Sequence, residues 1–286
     1  MRRPYVLLSR KETTNLGTVS RAFYYGNIRE DINLNFQRTT KQMELKVLTY
    51  NIWGMPWGTK YIHEILLWIF CTSGAEVVCL QEVFSKRHRE IIEIKATAAH
   101  WQVYFPEDTC LAGMCLNSFR SGSGLCILVS PKLQVIHEIP FVAFSTVDSY
   151  VEKLVKKGFF GVQLEKEGKF FSLLNTHMVS DMTECRPFRI AHGHSRRLQE
   201  KQLVEAAKTL RGPVLIAGDL NQEEHHYLHR MYDSDDWTFP DTMEQLDHVV
   251  CLHSDRKLFR VDSVKFFQEI KFSDHIPLRV DVQFQS

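Results

Sequence analysis

The sequence lacks several features that would place it in a protein class at once. Lys and Arg number 35 against 34 Asp and Glu, so no overall positive charge indicates a nucleic-acid partner. The longest apolar run, residues 65–71, is far shorter than the roughly 20 residues that cross a bilayer. The apolar stretch after Arg2 and Arg3 is too short for a secretory signal, which has about 7 to 15 apolar residues. We therefore expect a cytoplasmic protein.

The cysteine pattern also excludes some kinds of site. The seven cysteines form no CxxC pair and leave one over. This spacing argues against a zinc site held by thiolates and is typical of reduced thiols. Cys110 and Cys115 bracket a short segment and could close a loop, so pairing there stays open. The chain also has no internal repeat and no low-complexity tract.

A polar extension precedes a segment with the pattern of a folded domain. Residues 1–43 are rich in Arg, Thr, Asn and Gln, which predicts a tail or peripheral cover of uncertain order. Residues 44–286 contain short apolar runs between amphipathic stretches, and we expect one catalytic domain there. Strands are predicted at 45–50, 77–80, 125–129, 159–164, 170–174, 214–217 and 278–282, and helices at 62–70, 84–98 and 197–210.

This alternation predicts a mixed α/β fold. The polar turn 165–169 contains a glycine and joins two predicted strands, so that pair should be antiparallel. Strands that alternate with helices in some places and form hairpins in others favour two packed sheets with outer helices.

Several predicted strands end in a polar residue that can bind a metal or move a proton. A hydrophobic strand has no use for such a group unless it is solvated or belongs to a site. Hard oxygen ligands suit Mg²⁺, which leaves coordination positions for phosphate oxygens. Phosphodiester hydrolysis is a reaction that such sites perform. The residues that follow predicted strands are Asn51, Glu82, His177, Asp219 and Asn221, and three more complete the set: Asp274 and His275 before the last strand, and Asp247 among apolar residues.

Each of these residues alone has an ordinary structural explanation, such as a turn cap for Asp274. Their joint occurrence argues against coincidence. The remaining histidines that lie near these motifs are interpreted as surface or structural residues without chemistry. They are His192, His194, His225, His226, His229, His248 and His253.

The polar residues belong to short phrases that resemble, in order, those of the endonuclease/exonuclease/phosphatase superfamily, which includes pancreatic deoxyribonuclease. The resemblance covers nearly everything after residue 44. It implies a deoxyribonuclease I-like fold, a four-layer α/β sandwich of two face-packed mixed β-sheets flanked by helices. The phrases are Thr49-Tyr50-Asn51, Leu80-Gln81-Glu82-Val83, Asn175-Thr176-His177, Gly218-Asp219-Leu220-Asn221, Leu246-Asp247 and Ser273-Asp274-His275.

The resemblance also implies a cofactor. Glu82 would bind Mg²⁺ with help from Asn51, and Asp274 would complete the metal shell.

The same resemblance implies catalytic roles. His275 would be the general base that takes a proton from the attacking water, with Asp247 fixing its tautomer. Asp219 and Asn221 would orient the water or the phosphate. His177 would donate to a phosphate oxygen as negative charge builds.

A longer phrase, Asn51-Ile-Trp-Gly-Met-Pro-Trp57, is similar to the neutral sphingomyelinases, and the phrases at 81–84, 122–127 and 157–159 agree with it. This likeness implies hydrolysis of sphingomyelin, or of a related choline phospholipid, to ceramide and phosphocholine. Trp53 and residues 55–57 would then contact a membrane surface peripherally. Packing beneath the first helix is the alternative for either tryptophan.

Other interpretations stay open. The loop 105–123 could form an apolar lip over the substrate, and Lys157 could meet a phosphate or simply lie in a solvated turn. A nuclease or phosphatase could use the same residues on another ester, which would make nucleic acid the partner. A binding module that has lost catalysis is the hypothesis from a different class.

Overall fold

The computed structural model describes residues 12–14, 17–19, 43–53, 59–107, 122–146, 156–180, 193–221, 237–238, 246–252 and 259–284. The chain divides into two compact units, Met1–Thr40 and Lys41–Ser286. In the first unit, β1 (Glu12–Thr14) and β2 (Gly17–Val19) form an antiparallel pair. The function of residues 1–43 as a peripheral extension stays a prediction.

The second unit contains two six-stranded mixed sheets. Its strands are β3 (Glu44–Asn51), β4 (Val77–Gln81), β5 (Gln102–Tyr104), β6 (Cys126–Val129), β7 (Gln134–Ala143), β8 (Gly158–Lys166), β9 (Lys169–His177), β10 (Val214–Asp219), β11 (Trp237–Thr238), β12 (Asp247–Leu252), β13 (Phe259–Phe266) and β14 (Leu278–Phe284). The helices are α1 (Ile62–Cys71), α2 (Lys86–Ala98) and α3 (Gly193–Thr209). The β3 sheet has the order β13-β14-β3-β4-β6-β5, and the β9 sheet has the order β11-β12-β10-β9-β8-β7.

The two sheets pack face to face, with helices on their outer faces. In β3, Leu45 and Val47 join the apolar cluster between the sheets, where they meet side chains such as Leu173 of the β9 sheet. Leu48 and Tyr50 point the other way and pack with α1 and α2. The outer face of the β9 sheet packs with α3. This arrangement confirms the predicted four-layer sandwich and explains why strands buried on both faces are almost continuously apolar.

The predicted elements are present in the structure with shifted ends. Each of the predicted strands and helices overlaps an observed one, although α3 begins at residue 193 rather than 197. The expected antiparallel pair is β8 and β9, and its turn is the dipeptide Glu167-Gly168. Both turn residues have positive φ, 50° and 79°, as a two-residue hairpin turn that follows the strand twist requires. The sequence did not predict β5, β7, β12 or β13.

Each sheet contains one parallel pair among its described strands. It is β3 with β4 in one sheet and β9 with β10 in the other, and every other described pairing in the two sheets is antiparallel. In the chain, α1 lies between β3 and β4, and α3 lies between β9 and β10, because a parallel connection needs a crossover. The carboxyl ends of each pair therefore lie at one edge of their sheet.

Two expectations about the chain can be compared with the described residues. Among these residues no helix is both long and apolar enough to cross a membrane. Cys71, Cys79, Cys126 and Cys251 are free thiols. The loop that Cys110 and Cys115 bracket lies outside the described residues.

A substitution at Gly218 can test the close contact between β9 and β10 beside the site. A Cβ atom added there would lie 2.0 Å from the Thr176 carbonyl oxygen, which is backbone and cannot move away cheaply. We expect Gly218→Ala to destabilise the fold by about 2 kcal/mol or more, measured by urea unfolding. Gly193→Ala is the matched control, because an added Cβ there meets nothing within 4 Å. Equal stability of the two variants would contradict the packing described here.

Candidate functional site

The polar residues predicted to form a site lie mostly at the edge where both parallel strand pairs end. Asn51 ends β3 and Glu82 follows β4, the strand beside it. In the other sheet, Asp219 at the end of β10 lies opposite His177 of β9 and Asp247 of β12. The motifs, although far apart in sequence, therefore occupy neighbouring strand ends.

The Asn51 side chain links the two sheets. Its Nδ2 atom donates to Glu82 Oε1 at 3.2 Å and to Asp219 Oδ2 at 3.0 Å. Asn51 is 1% exposed, so these bonds form away from solvent. One amide thus holds a carboxylate of the β3 sheet beside a carboxylate of the β9 sheet.

Glu82 occupies a constrained turn directly after β4. Its φ is 63°, and the Phe84 N–H donates to the Glu82 carbonyl at 2.9 Å, which closes a three-residue turn. The Val83 N–H donates to the Gly124 carbonyl at 2.8 Å and anchors the turn to the segment just before β6. A non-glycine residue at positive φ is strained, and such strain concentrates at functional positions.

Residues that could hold a divalent cation lie at this turn. Glu82 Oε2 is buried and has no hydrogen-bond partner within the described ranges. Among all the residues that the structure describes, no group of three or more Asp, Glu, His and Cys side chains is arranged so that it could hold a metal. A carboxylate oxygen with an adjacent amide fits Mg²⁺, which keeps several waters and binds through one or two carboxylates plus substrate phosphate. The donor set does not fit a cation enclosed by protein ligands alone.

Asp274 is the third predicted metal ligand, and it lies in the loop before β14. It is exposed, and its Oδ1 accepts a hydrogen bond from Ser273 Oγ at 3.1 Å. Ser273 Oγ is also 2.8 Å from the Asn51 carbonyl, to which it can donate. Ser273 has a single hydroxyl proton, so it donates to one of these two acceptors at a time. No hydrogen bond between described residues joins Asp274 to Glu82.

His275 and Asp247 form a part-buried acid–imidazole pair. The His275 Nδ1 atom lies 2.6 Å from Asp247 Oδ2, and its Nε2 atom lies 3.8 Å from Asp219 Oδ2. Because β14 is antiparallel to β3, the loop that carries His275 begins where β3 ends, next to Asn51. The pair leaves Nε2 as the ring atom available for proton transfer.

The charges of this group depend on one another. Burial favours neutral His275, but the charge and hydrogen bond of Asp247, with Asp219 and Asp274, raise its pKa to about 10. Burial raises the pKa of Asp247 above its usual value. Burial also opposes ionisation of Asp219, yet His177, His275 and Lys157 hold the pKa of Asp219 well below its usual range.

Lys157 lies in the site, although its sequence context also fitted a solvated turn. It is 4% exposed rather than solvated, and its Nζ lies 2.6 Å from His177 Nε2. An ammonium group can only donate, so Nε2 accepts when it bonds to Lys157, whereas it donates to Asp219 Oδ2 when the ring carries its proton on Nε2. Gly158 pairs with His177 across β8 and β9, which brings the preceding lysine to the site. The signal in the sequence was the phrase at 157–159.

His177 and Asn221 connect Asp219 to its surroundings. His177 Nε2 lies 3.3 Å from Asp219 Oδ2. Asn221 has a φ of 51°, and its backbone N–H donates to Asp219 Oδ1 at 2.9 Å. The Asn221 side chain donates to the Met178 carbonyl at 2.9 Å, so it fixes the segment after β9.

Trp53 is an exposed aromatic residue beside the site. It is 55% exposed, so it does not pack beneath α1. Its backbone N–H donates to Asn51 Oδ1 at 2.9 Å. Residues 55–57 and most of the loop at 105–123 lie outside the described residues, as do His192, His225, His226, His229 and His253.

One edge of the two-sheet sandwich thus holds an acid–imidazole pair, a lysine and a turn whose carboxylate fits a cation. The class of protein that this combination indicates is a hydrolase of phosphate esters. Residues 48–275 match the sequence profile of the Endonuclease/Exonuclease/phosphatase family. The chain belongs to that family, as its motifs predicted.

Sequence relatives carry sphingomyelinase names. The chain is 25% identical over 222 residues to Sphingomyelinase C 2 of Leptospira interrogans, which covers 70% of this chain and 34% of the relative. It is 24% identical over 211 residues to a Drosophila melanogaster protein assigned by name to the neutral sphingomyelinases, covering 68% and 44%. The chain thus spans less than half the length of either curated relative.

Solved structures share the fold. Sphingomyelinase C from Streptomyces griseocarneus has a TM-score of 0.60 at 19% identity, covering 84% of this chain and 99% of that chain. A beta toxin variant from Staphylococcus aureus with bound magnesium ions gives 0.61 at 16% identity, with 85% and 100% covered. D. rerio TDP2 complexed with single strand DNA product gives 0.60 at 13%, with 84% and 98% covered. The fold therefore occurs both in a protein named as a sphingomyelinase and in a protein solved with single-stranded DNA.

The Asp247 carboxylate can be tested directly as the cause of the raised His275 pKa. We expect Asp247→Asn to move the His275 pKa from about 10 towards its ordinary value of about 6.5, because the nearest negative charge is lost. Proton–carbon NMR of the His275 ring in cation-free protein measures this titration. Asp262→Asn, which changes an exposed carboxylate on β13, is the control. An unchanged titration in Asp247→Asn would contradict the pairing.

Proposed function

We propose that this chain is a Mg²⁺-dependent phosphodiesterase that hydrolyses sphingomyelin, or a related choline phospholipid, to ceramide or its lipid counterpart and phosphocholine. The observation that carries the proposal is the position of the His275–Asp247 pair beside the Asn51-linked carboxylates Glu82 and Asp219. The names of the sequence relatives support the choice of lipid.

Glu82 would hold Mg²⁺ through its unpartnered Oε2 atom, with Asn51 and Asp274 as the other candidate ligands. When bound, the ion neutralises phosphate oxygens and stabilises charge that develops in hydrolysis. Asn51 Oδ1 already accepts the Trp53 N–H, so its geometry is fixed before a ligand arrives. The other groups of the site belong to the chain itself.

His275 would act as the general base. Its Nε2 would take a proton from the attacking water, while the water oxygen bonds to phosphorus and the bond from phosphorus to the lipid oxygen breaks. The departing lipid oxygen would take a proton from solvent and leave as a hydroxyl, and His275 would return its own proton to solvent. Asp247 accepts from Nδ1–H and keeps Nε2 as the basic atom. A base must be neutral, and the raised pKa belongs to a free site in which carboxylates are the nearest charges. A cation held by Glu82 would oppose protonation of His275 and so would favour its basic form.

Lys157 and His177 would bind the phosphate. Both side chains are buried, and they lie in contact at the β9 edge of the site. A phosphate oxygen that takes the Lys157 ammonium as donor would release His177 Nε2 to accept or donate elsewhere. Asp219, whose Oδ2 lies 3.3 Å from His177 Nε2 and 3.8 Å from His275 Nε2, would orient the attacking water or the phosphate.

The proposal is tested by release of phosphocholine from sphingomyelin vesicles at neutral pH. We expect release that requires Mg²⁺, stops with a chelator and falls by a factor of about 10² to 10⁴ in His275→Ala. Glu82→Gln keeps the side-chain shape and should abolish the Mg²⁺ dependence together with activity. Glu205→Gln, an exposed carboxylate on α3, is the matched control and should keep full activity.

Parallel assays with duplex DNA, RNA and phosphatidylcholine identify the ester. Cleavage confined to a nucleic acid, again abolished in His275→Ala, would contradict the lipid assignment and keep the site. Turnover of no phosphodiester by the wild-type chain would contradict the proposal as a whole.

Trp53 would insert at the lipid surface, because a tryptophan exposed beside the site suits a membrane interface. We expect Trp53→Ala to weaken binding to sphingomyelin vesicles and to raise KM on vesicles, with little change on a soluble short-chain substrate. Phe170→Ala is the matched control, because Phe170 is 52% exposed at the opposite end of β9. Equal vesicle binding by wild type and Trp53→Ala would rule out this contact.

A further inference from the structure

Buried amides link the two sheets directly beneath the site. Gln81 Nε2, at the end of β4, donates to Asn175 Oδ1 of β9 at 2.8 Å. Asn175 Nδ2 donates back to the carbonyls of Leu80 at 3.0 Å and Cys126 at 2.9 Å. Gln81 and Asn175 are both 0% exposed. These bonds join a strand of the β3 sheet to a strand of the β9 sheet in both directions.

The two accepting carbonyls mark the point where a ladder ends. Leu80 and Cys126 are the last registered partners of β4 and β6 towards the site. Beyond them the β4 chain turns out to Glu82 at positive φ. Buried carbonyls need donors, and Asn175 supplies them from the opposite sheet. The strand can therefore leave its ladder here without losing its hydrogen bonds.

The rest of the contact between the sheets is mostly apolar. Its members include Val47, Val77, Leu173 and Leu215. Apolar packing is non-directional and leaves the exact offset of two sheets weakly specified. Hydrogen bonds with fixed distances and angles specify that offset. Gln81 directly precedes Glu82 and Asn175 is two residues before His177, so an offset fixed here fixes the distance between the two halves of the site.

We infer that Asn175, with Gln81, is a positioning residue that holds the cation-binding turn at Glu82 in register with His177 at the end of β9. The inference rests on the proposed function, which assigns cation binding to one half of the site and phosphate binding to the other. It assigns no contact between Asn175 and substrate, because Asn175 is 0% exposed and both N–H groups of its carboxamide donate to the two carbonyls.

The opposite end of the sandwich offers a matched control. There Lys166 of β8 lies 2.6 Å from Glu76 Oε2, just before β4, and also donates to the Glu44 carbonyl. The Lys166 and Glu76 side chains are 10% and 8% exposed. This pair also connects the two sheets through a buried polar contact, but it lies at the end of β4 away from Glu82. Its loss should affect stability without affecting the site.

The experiment compares Asn175→Ala with Lys166→Met in the full chain. Each variant is measured for its thermal midpoint, its Mn²⁺ affinity by calorimetry without substrate, and its kcat and KM on sphingomyelin. We expect both midpoints to fall. Only Asn175→Ala should weaken Mn²⁺ binding, by about 10-fold or more, and lower kcat. Glu82→Gln marks the loss of binding expected when the ligand itself is removed.

Gln81→Met covers the case in which Asn175→Ala does not fold. It removes the bond to Asn175 Oδ1 and keeps a side chain of similar length, while Asn175 can still donate to both carbonyls. We expect an intermediate loss of Mn²⁺ affinity. If every folded variant binds Mn²⁺ as wild type does, or if Lys166→Met weakens binding equally, the positioning role is wrong.

The calorimetry separates this inference from the proposed function. Wild-type protein that binds Mn²⁺ in an Asn175-dependent way but does not cleave sphingomyelin would support the positioning role and overturn the lipid assignment. Wild-type protein that binds no Mn²⁺ would overturn both.

Discussion

The constraint on which this structure depends is the single parallel strand pair described in each sheet. A parallel pair brings two carboxyl ends to one edge, which places Asn51 beside Glu82 and His177 beside Asp219. The antiparallel neighbours β12 and β14 then begin at that same edge and deliver Asp247 and the loop before Leu278. Face-to-face packing turns the two edges into one site. The order of the motifs along the chain follows from this topology.

The site is costly to bury and is stabilised by mutual neutralisation. Asp219 is 1% exposed, and its ionised form depends on the cationic and hydrogen-bonding groups of His177, His275 and Lys157. Asp247 and His275 form a second pair in the same space. Because the two carboxylates of this cluster are almost fully buried, removing one group changes the protonation of the others. Positive φ at Glu82 adds strain that the surrounding strands maintain.

Much of the fold, and the set of polar residues that the fold brings to one edge, could be predicted from sequence for a physical reason. Strands buried on both faces read as apolar runs, and their polar ends are conspicuous. The edge strand β7 alternates irregularly between exposed and half-buried residues and contains Pro140, so it has no such signal. Lys157 resembled a solvated turn residue because its partner, His177, is brought to it only by strand pairing. The link between Gln81 and Asn175 could not be predicted, since it depends on the offset of the two sheets.

In the proposed function, the cation-binding and phosphate-binding residues come from opposite sheets and meet at one edge. Crystals soaked with Mn²⁺ and phosphocholine test this most directly through anomalous diffraction. We expect a metal peak at coordination distance, about 2 Å, from Glu82 Oε2, with the phosphate between that peak and the Lys157–His177 contact. A metal peak away from Glu82, or a phosphate that contacts residues of only one sheet, would contradict the account.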